Sequence, residues 1–188
     1  MRELSLHILD ILQNSIEAGA RHLDLEINES ISANRLVISI TDDGRGMDRQ
    51  TVERVLDPFF TTRTTRQVGL GIPLFRAAAQ QCNGDLIITS APSVGTRVDV
   101  KFQRDHLDRA PLGDIKSTIL SVILANQACD LRYSHHMDER CFEFDTAEMH
   151  QILGEIPFIE PRVRKWLDEY LQQGYDQLYG TGNKYDFQ

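Results

Sequence analysis

From Leu36 onward apolar side chains recur at every second residue, Leu36, Ile38 and Ile40, and the same period carries Asp42 onto their face. A strand that aims a carboxylate at the core side is tightly constrained, because an unpaired buried charge costs several kcal/mol. Either another element supplies a partner, or the side chain turns back to cap the turn at Gly44. Asp43 already supplies a turn residue, which favours the inward-facing reading. An earlier stretch alternates in the same way, with Leu23, Leu25 and Ile27 on one side and His22, Asp24, Glu26 and Asn28 on the other. A turn is expected over 28–34.

Ahead of these strands Leu4, Ile8, Ile11, Leu12 and Ser15-Ile16 fall at helical spacing, and Gly19 closes the helix. His7, Asp10, Asn14 and Glu17 form a polar stripe beside the apolar one, which either meets solvent or rims a pocket. Asparagine inside a helix is mildly unfavourable, so Asn14 is the clue to a pocket. Gly44 and Gly46 permit positive φ and a close approach to the backbone. A short helix is predicted over 47–56, capped by Asp48 and broken by Asp57-Pro58. Residues 61–68 lack any apolar period and read as an exposed loop. Gly69-Leu70-Gly71 then opens a helix over 72–82, with Pro73 in its first turn. Strands over 85–91 and 96–103 follow, joined by a turn at 92–95. Helices on one face of a mostly antiparallel sheet make a two-layer α+β sandwich.

Beyond Asp105 the texture changes. An apolar helix is predicted over 113–127, a hairpin over 131–137 and 141–145 turning at Asp138-Glu139, then two helices split near Pro157 and Pro161. The tail over 179–188 reads as loose. Trp166, Leu167, Tyr170 and Leu171 at helical spacing suit a core or an interface. The 188 residues therefore divide into 1–104 and a small α+β appendage, 105–188. A net charge of -8 speaks against nucleic acid as a partner, since phosphate backbones need clustered cations. Cys82, Cys129 and Cys141 show no paired spacing, and no apolar stretch is long enough to span a bilayer. A cytoplasmic chain without a membrane partner is expected. His135, His136, Cys129, Cys141 and His150 lack zinc spacing, and adjacent histidines on a strand point to opposite faces, so no structural zinc is expected there.

Four runs carry the chemistry: residues 10–20, Thr41-Asp42-Asp43-Gly44-Arg45-Gly46-Met47, Asp57-Pro58-Phe59-Phe60-Thr61-Thr62-Arg63, and Gly69-Leu70-Gly71. Each alone is weak; in this order they point to a purine nucleotide held between a helix, a strand end and a mobile loop. Glycines opening a helix suit phosphate, because free N–H groups and the macrodipole favour an anion. Asp10 and Asn14, one turn apart, offer the oxygen ligands that Mg²⁺ takes. Asp10 is also placed to accept a proton from an attacking water or hydroxyl.

As a set the runs resemble the GHKL superfamily of ATP-binding domains, which includes gyrase, a heat-shock chaperone, histidine kinases and the mismatch-repair ATPase. Residues 10–20 are similar to its N box, 42–47 to its G1 box, 57–63 to its F box and 69–71 to its G2 box, with Gly95-Thr96 similar to its last glycine–threonine element. The resemblance covers about the first hundred residues and implies a Bergerat-type fold, ATP and Mg²⁺. It implies that Asn14 ligates the metal; Asp10, as second ligand and catalytic base, is read from its place one turn away on the same helix. It implies that Asp42 accepts the adenine amino group while Gly44, Gly46 and Met47 border the base. Thr62, Arg63, Gly69, Leu70, Gly71 and Thr96 complete the nucleotide contacts, under a lid over 59–68. The F-box wording is closest to the kinases and the N-box wording to the mismatch-repair branch. Asp10 departs from both: the ATPases carry Glu there and the kinases usually Asn. With no phosphoaccepting segment ahead of the N box, the expectation is a regulatory signal-transduction module that phosphorylates or switches a protein supplied in trans. An ATPase that drives a conformational change and a non-catalytic ATP sensor remain open beside it.

Overall fold

The structure, a computed structural model, describes residues 3–57, 71–126, 128–154 and 156–180. The expected lid and most of the phosphate loop (58–70), and the tail 181–188, lie outside these. In chain order the elements are α1 (Leu4–Glu17), β1 (His22–Ser30), β2 (Arg35–Asp42), α2 (Arg49–Val55), α3 (Gly71–Gln81), β3 (Asp85–Ala91), β4 (Gly95–Gln103), α4 (Ile115–Ala125), β5 (Asp130–Met137), β6 (Arg140–Asp145), α5 (Thr146–Leu153) and α6 (Pro161–Tyr179). The strands form one six-stranded sheet in the order β3-β4-β2-β1-β5-β6. Its neighbours are antiparallel except β1 and β5, which run parallel.

The alternation read from the sequence sorts the two faces. Leu23, Leu25, Ile27, Leu36, Ile38, Ile40, Val98, Val100 and Phe102 are all buried, as are Leu131 and Tyr133 of β5. Against them α1 lays Leu4, Ile8, Ile11 and Leu12, each contributing about 1.5–3 kcal/mol by leaving water. Asp48 caps α2 through a bond from the Thr51 amide at 2.7 Å, and Gly19 adopts φ 81° just past α1.

Residues beyond 105 do not build a separate sheet. β5 pairs with β1 from His22↔Asp130 to Glu29↔Met137, so the expected appendage continues the sheet and shares its core. The connecting segment is also tied to the first helix. Pro111 and Leu112 carbonyls accept from the Leu4 and Ser5 amides at 3.0 and 2.8 Å, satisfying N–H groups that the Glu3 cap leaves without a side-chain partner.

Two expectations are corrected at the far end of β1. The strand runs to Ser30 rather than turning at Asn28, because Glu29 continues the inward period and finds partners there. Tyr179 belongs to α6, not to a loose tail, and its hydroxyl donates to Glu29 at 2.7 Å. Burial alone would push the Glu29 carboxyl up. Bonds from His135 and Tyr179, with Arg104 nearby, hold it down at about 2. Burial holds His135 below its ordinary value, so a neutral ring donates Nε2–H to Glu29 at 3.1 Å and accepts the Tyr133 hydroxyl at Nδ1. Tyr175 then bonds Tyr133 from α6. One directed chain of hydrogen bonds thus clamps α6 to the parallel strand pair.

Candidate functional site

Asp42, the last residue of β2, is buried at 9% exposure. Its Oδ2 accepts the Ser15 hydroxyl of α1 at 2.6 Å, and its Oδ1 accepts the Gly44 amide at 2.9 Å and the Thr96 amide of β4 at 3.2 Å. The inward-facing reading is the one realised, and turn capping comes with it, since Gly44 is among the donors. Asp43 meanwhile faces outward. It accepts from the Arg21 and His22 amides and from the His22 ring, ties the turn to the start of β1, and is held at about 2 by the His22 and Arg21 bonds against a desolvation cost.

The loop after Asp42 is fixed from several sides. The Met47 amide donates to Ser90 Oγ at 2.8 Å, and Ser90 in turn bonds the Gly95 carbonyl and the Thr96 hydroxyl. Arg45 donates its amide to the Ala18 carbonyl and accepts the Ser93 amide. Gly46 has φ 64°, and a Cβ there would collide with the Ala91 carbonyl; one on Gly95, at φ 120°, would collide with the Asp42 carbonyl. Any side chain at either position would push the β3–β4 turn off the strand end.

On the other flank, α1 meets the start of α3. Asp10 and Asn14 are half-buried, and a Cβ on Gly71 would lie 3.0 Å from Asp10 Oδ2. His7 departs from the expected pocket rim. It is 3% exposed and stacked on Phe75 of α3, with ring centroids 4.8 Å apart and planes 6° apart. Burial lowers its pKa to about 4; its bond is to the Gly71 backbone, while Nδ1 has no partner among the described residues. The neutral ring therefore docks α1 onto α3 near Gly71, the first residue of that helix.

Asp10 and Asn14 thus lie on α1, Asp42 at the end of β2, Gly44, Gly46 and Met47 in the loop after it, Thr96 on β4 and Gly71 at the start of α3; Ser15 ties α1 to Asp42 and Gly71 lies against Asp10. Thr62, Arg63, Gly69 and Leu70 lie outside the described residues. Ser15 and Ser90 were not singled out from the sequence, yet each bridges two of these elements. A cavity of about 610 Å³ lies elsewhere, bordered by Glu29, Arg104, Arg109, Lys116 and Tyr179, and none of the expected site residues lines it. Among the described residues no helix is long and apolar enough to cross a membrane.

Residues 2–106 match the family described as histidine kinase-, DNA gyrase B-, and HSP90-like ATPase. The chain is 30% identical over 104 residues to sensor histidine kinase YxdK of Bacillus subtilis, covering 53% of this chain and 32% of the relative. It is 33% identical over 89 residues to signal transduction histidine-protein kinase AtoS of Escherichia coli, covering 47% and 14%. The chain thus spans a third or less of these relatives' length. In fold it is similar to the MutL ATPase domain of Aquifex aeolicus, solved with ADP, at TM-score 0.51 and 14% identity, covering 92% of this chain and 70% of that one.

Proposed function

Because the chain belongs to the histidine kinase-, DNA gyrase B-, and HSP90-like ATPase family, we propose that it binds ATP with Mg²⁺ where α1, the end of β2 and the start of α3 converge. It then transfers phosphate to a partner protein in trans, or switches that partner. The observation that carries this reading is the Asp42 carboxylate. A carboxylate has about four acceptor positions, and three described donors, Ser15, Gly44 and Thr96, engage Asp42. The remaining capacity suits one exocyclic amino group, and Gly44 leaves free the space beside the carboxylate that a Cβ, 3.1 Å from Asp42 Oδ1, would take.

The residues present fit the cation. Asn14 and Asp10 offer side-chain oxygens one turn apart on α1, and Gly71 leaves space beside Asp10 that a single Cβ would close. Such a hard oxygen pair would hold Mg²⁺, which supplies charge neutralisation to the phosphates when bound. α3, eleven residues long, begins at Gly71 beside Asp10, which brings the positive end of its dipole to the same place. Asp10 holds a proton acceptor beside Gly71, which orients and deprotonates an attacking hydroxyl. That same carboxylate favours a second reading, hydrolysis, in which the acceptor is water. A net charge of -8 supports a protein rather than a nucleic-acid partner.

Calorimetry of the purified chain with ATP and Mg²⁺ tests the shared premise, and binding with a raised melting temperature is expected. No heat and no melting shift would overturn it. Terminally labelled ATP then separates the readings: label on a co-purifying protein supports transfer, free phosphate supports hydrolysis, and binding with neither leaves a sensor whose two states differ in nucleotide affinity.

A further inference from the structure

Strand pairing brings together three donors whose spacing along the chain conceals them. His136 of β5 lies opposite Cys141 of β6, and Ser134 opposite Glu143. His135 turns into the core, fully buried, so its neighbour His136 shares the other face with Cys141 and Glu143. Cys141 Sγ sits 3.8 Å from His136 Nε2 and 4.0 Å from Glu143 Oε1, and the three donor atoms lie within 4.8 Å of one another.

We propose that His136, Cys141 and Glu143 form a binding site for one divalent transition-metal ion of the zinc type on the open face of the β5–β6 hairpin. Tetrahedral zinc, with Zn–S about 2.3 Å and Zn–N or Zn–O about 2.0–2.2 Å, separates neighbouring ligand atoms by roughly 3.5 Å. The Cys141 distances of 3.8 and 4.0 Å already approach that, so closure needs only small side-chain rotations. A mixed nitrogen, sulfur and oxygen set suits zinc or cobalt and disfavours Mg²⁺ and Ca²⁺, which take oxygen alone. It is therefore chemically distinct from the oxygen pair on α1.

Cys141 and Glu143 are exposed, so the fourth position stays open to water or to a donor from another molecule, as in three-ligand sites. The thiolate is the metal ligand, so metal uptake replaces the thiol proton: the S–H bond breaks, an S–metal bond forms and one proton leaves to solvent. Affinity falls as pH is lowered.

The test is a Co²⁺ titration of the reduced, full chain without nucleotide. One Co²⁺ per chain is expected, with a near-ultraviolet thiolate-to-cobalt charge-transfer band and the visible bands of a tetrahedral ion. Cys141→Ser should abolish the near-ultraviolet band. His136→Ala and Glu143→Gln should each weaken binding by at least the roughly 10- to 100-fold that loss of an outer-shell partner costs. These side chains face away from the core, and unchanged ATP calorimetry verifies that each variant is folded. No band, a band that survives Cys141→Ser, or one cobalt shared by two chains would overturn the single-chain site.

Discussion

Ser15 of α1 donates its hydroxyl to Asp42 of β2 at 2.6 Å, across 27 positions of sequence and in a buried setting. The bond fixes the rotamer of the inward Asp42 carboxylate and couples the first helix to the end of β2. Replacing Ser15 by Ala removes one buried donor from a charged acceptor, at about 1–3 kcal/mol. The gain in helix propensity, at most about 0.7 kcal/mol, does not offset that. Urea unfolding should show a lower midpoint at unchanged slope.

Asp42→Asn keeps the shape but replaces an acceptor with a group that can turn its amide N–H toward the ligand. Hydrogen bonds to charged groups contribute about 1.5–3 kcal/mol, so ATP affinity should fall by roughly 10- to 100-fold in calorimetry. Unchanged affinity removes Asp42 from the adenine contact.

Asp10→Asn retains an oxygen for the cation and loses the proton acceptor. Nucleotide binding should persist, while any turnover drops by about 10²–10⁴, the usual share of a general base. Full turnover in labelled-phosphate assays would leave Asp10 with a positioning role only.

The inward carboxylate was legible because strand period two runs unbroken from Leu36 to Asp42, and burial follows it except at Ser39, which is buried on the opposite face. Ser15 was less so: a small hydroxyl on an apolar stripe reads as filler until the strand beneath it is known. Ser90 gave no local signal, since its role depends on the β3–β4 hairpin bringing Gly95 and Thr96 beside the Met47 loop. The parallel pairing of β1 with β5 was hidden for a related reason. Periodicity says which face of a strand is inward but not which distant strand lies alongside, so the chain beyond 105 read as an appendage. Glu29 was missed because the polar run after Ile27 resembles a turn, and only His135, Arg104 and Tyr179 make its burial tolerable.

Acid should weaken the fold through His7. Its folded-state pKa of about 4 lies below the ordinary 6.5, so the unfolded chain takes up a proton that the folded chain refuses. Stability is lost as pH falls from 6.5 toward 4, by roughly 3 kcal/mol for a gap of that size. His7→Phe, which keeps the stack on Phe75, should flatten this segment of the stability–pH curve in urea titrations.

Gly174 of α6 lies against the Phe142 ring of β6, where a Cβ would overlap ring atoms. Phe142 is itself walled in by Tyr133, Tyr170 and Tyr175. Overpacking of about 1–3 kcal/mol opposes the helix gain of about 1 kcal/mol from Gly to Ala. Gly174→Ala should thus lower thermal stability by up to about 2 kcal/mol.

The stretch matched by the family stops at residue 106, but the sheet does not. A fragment trimmed at that point would leave β1 with a raw flank of unpaired amides and carbonyls over eight registered positions, above a floor of Leu23, Leu25 and Ile27. Such an edge invites strand-to-strand aggregation. The smallest soluble unit is therefore set by hydrogen bonding rather than by homology, and expression trials should carry the chain through Tyr179.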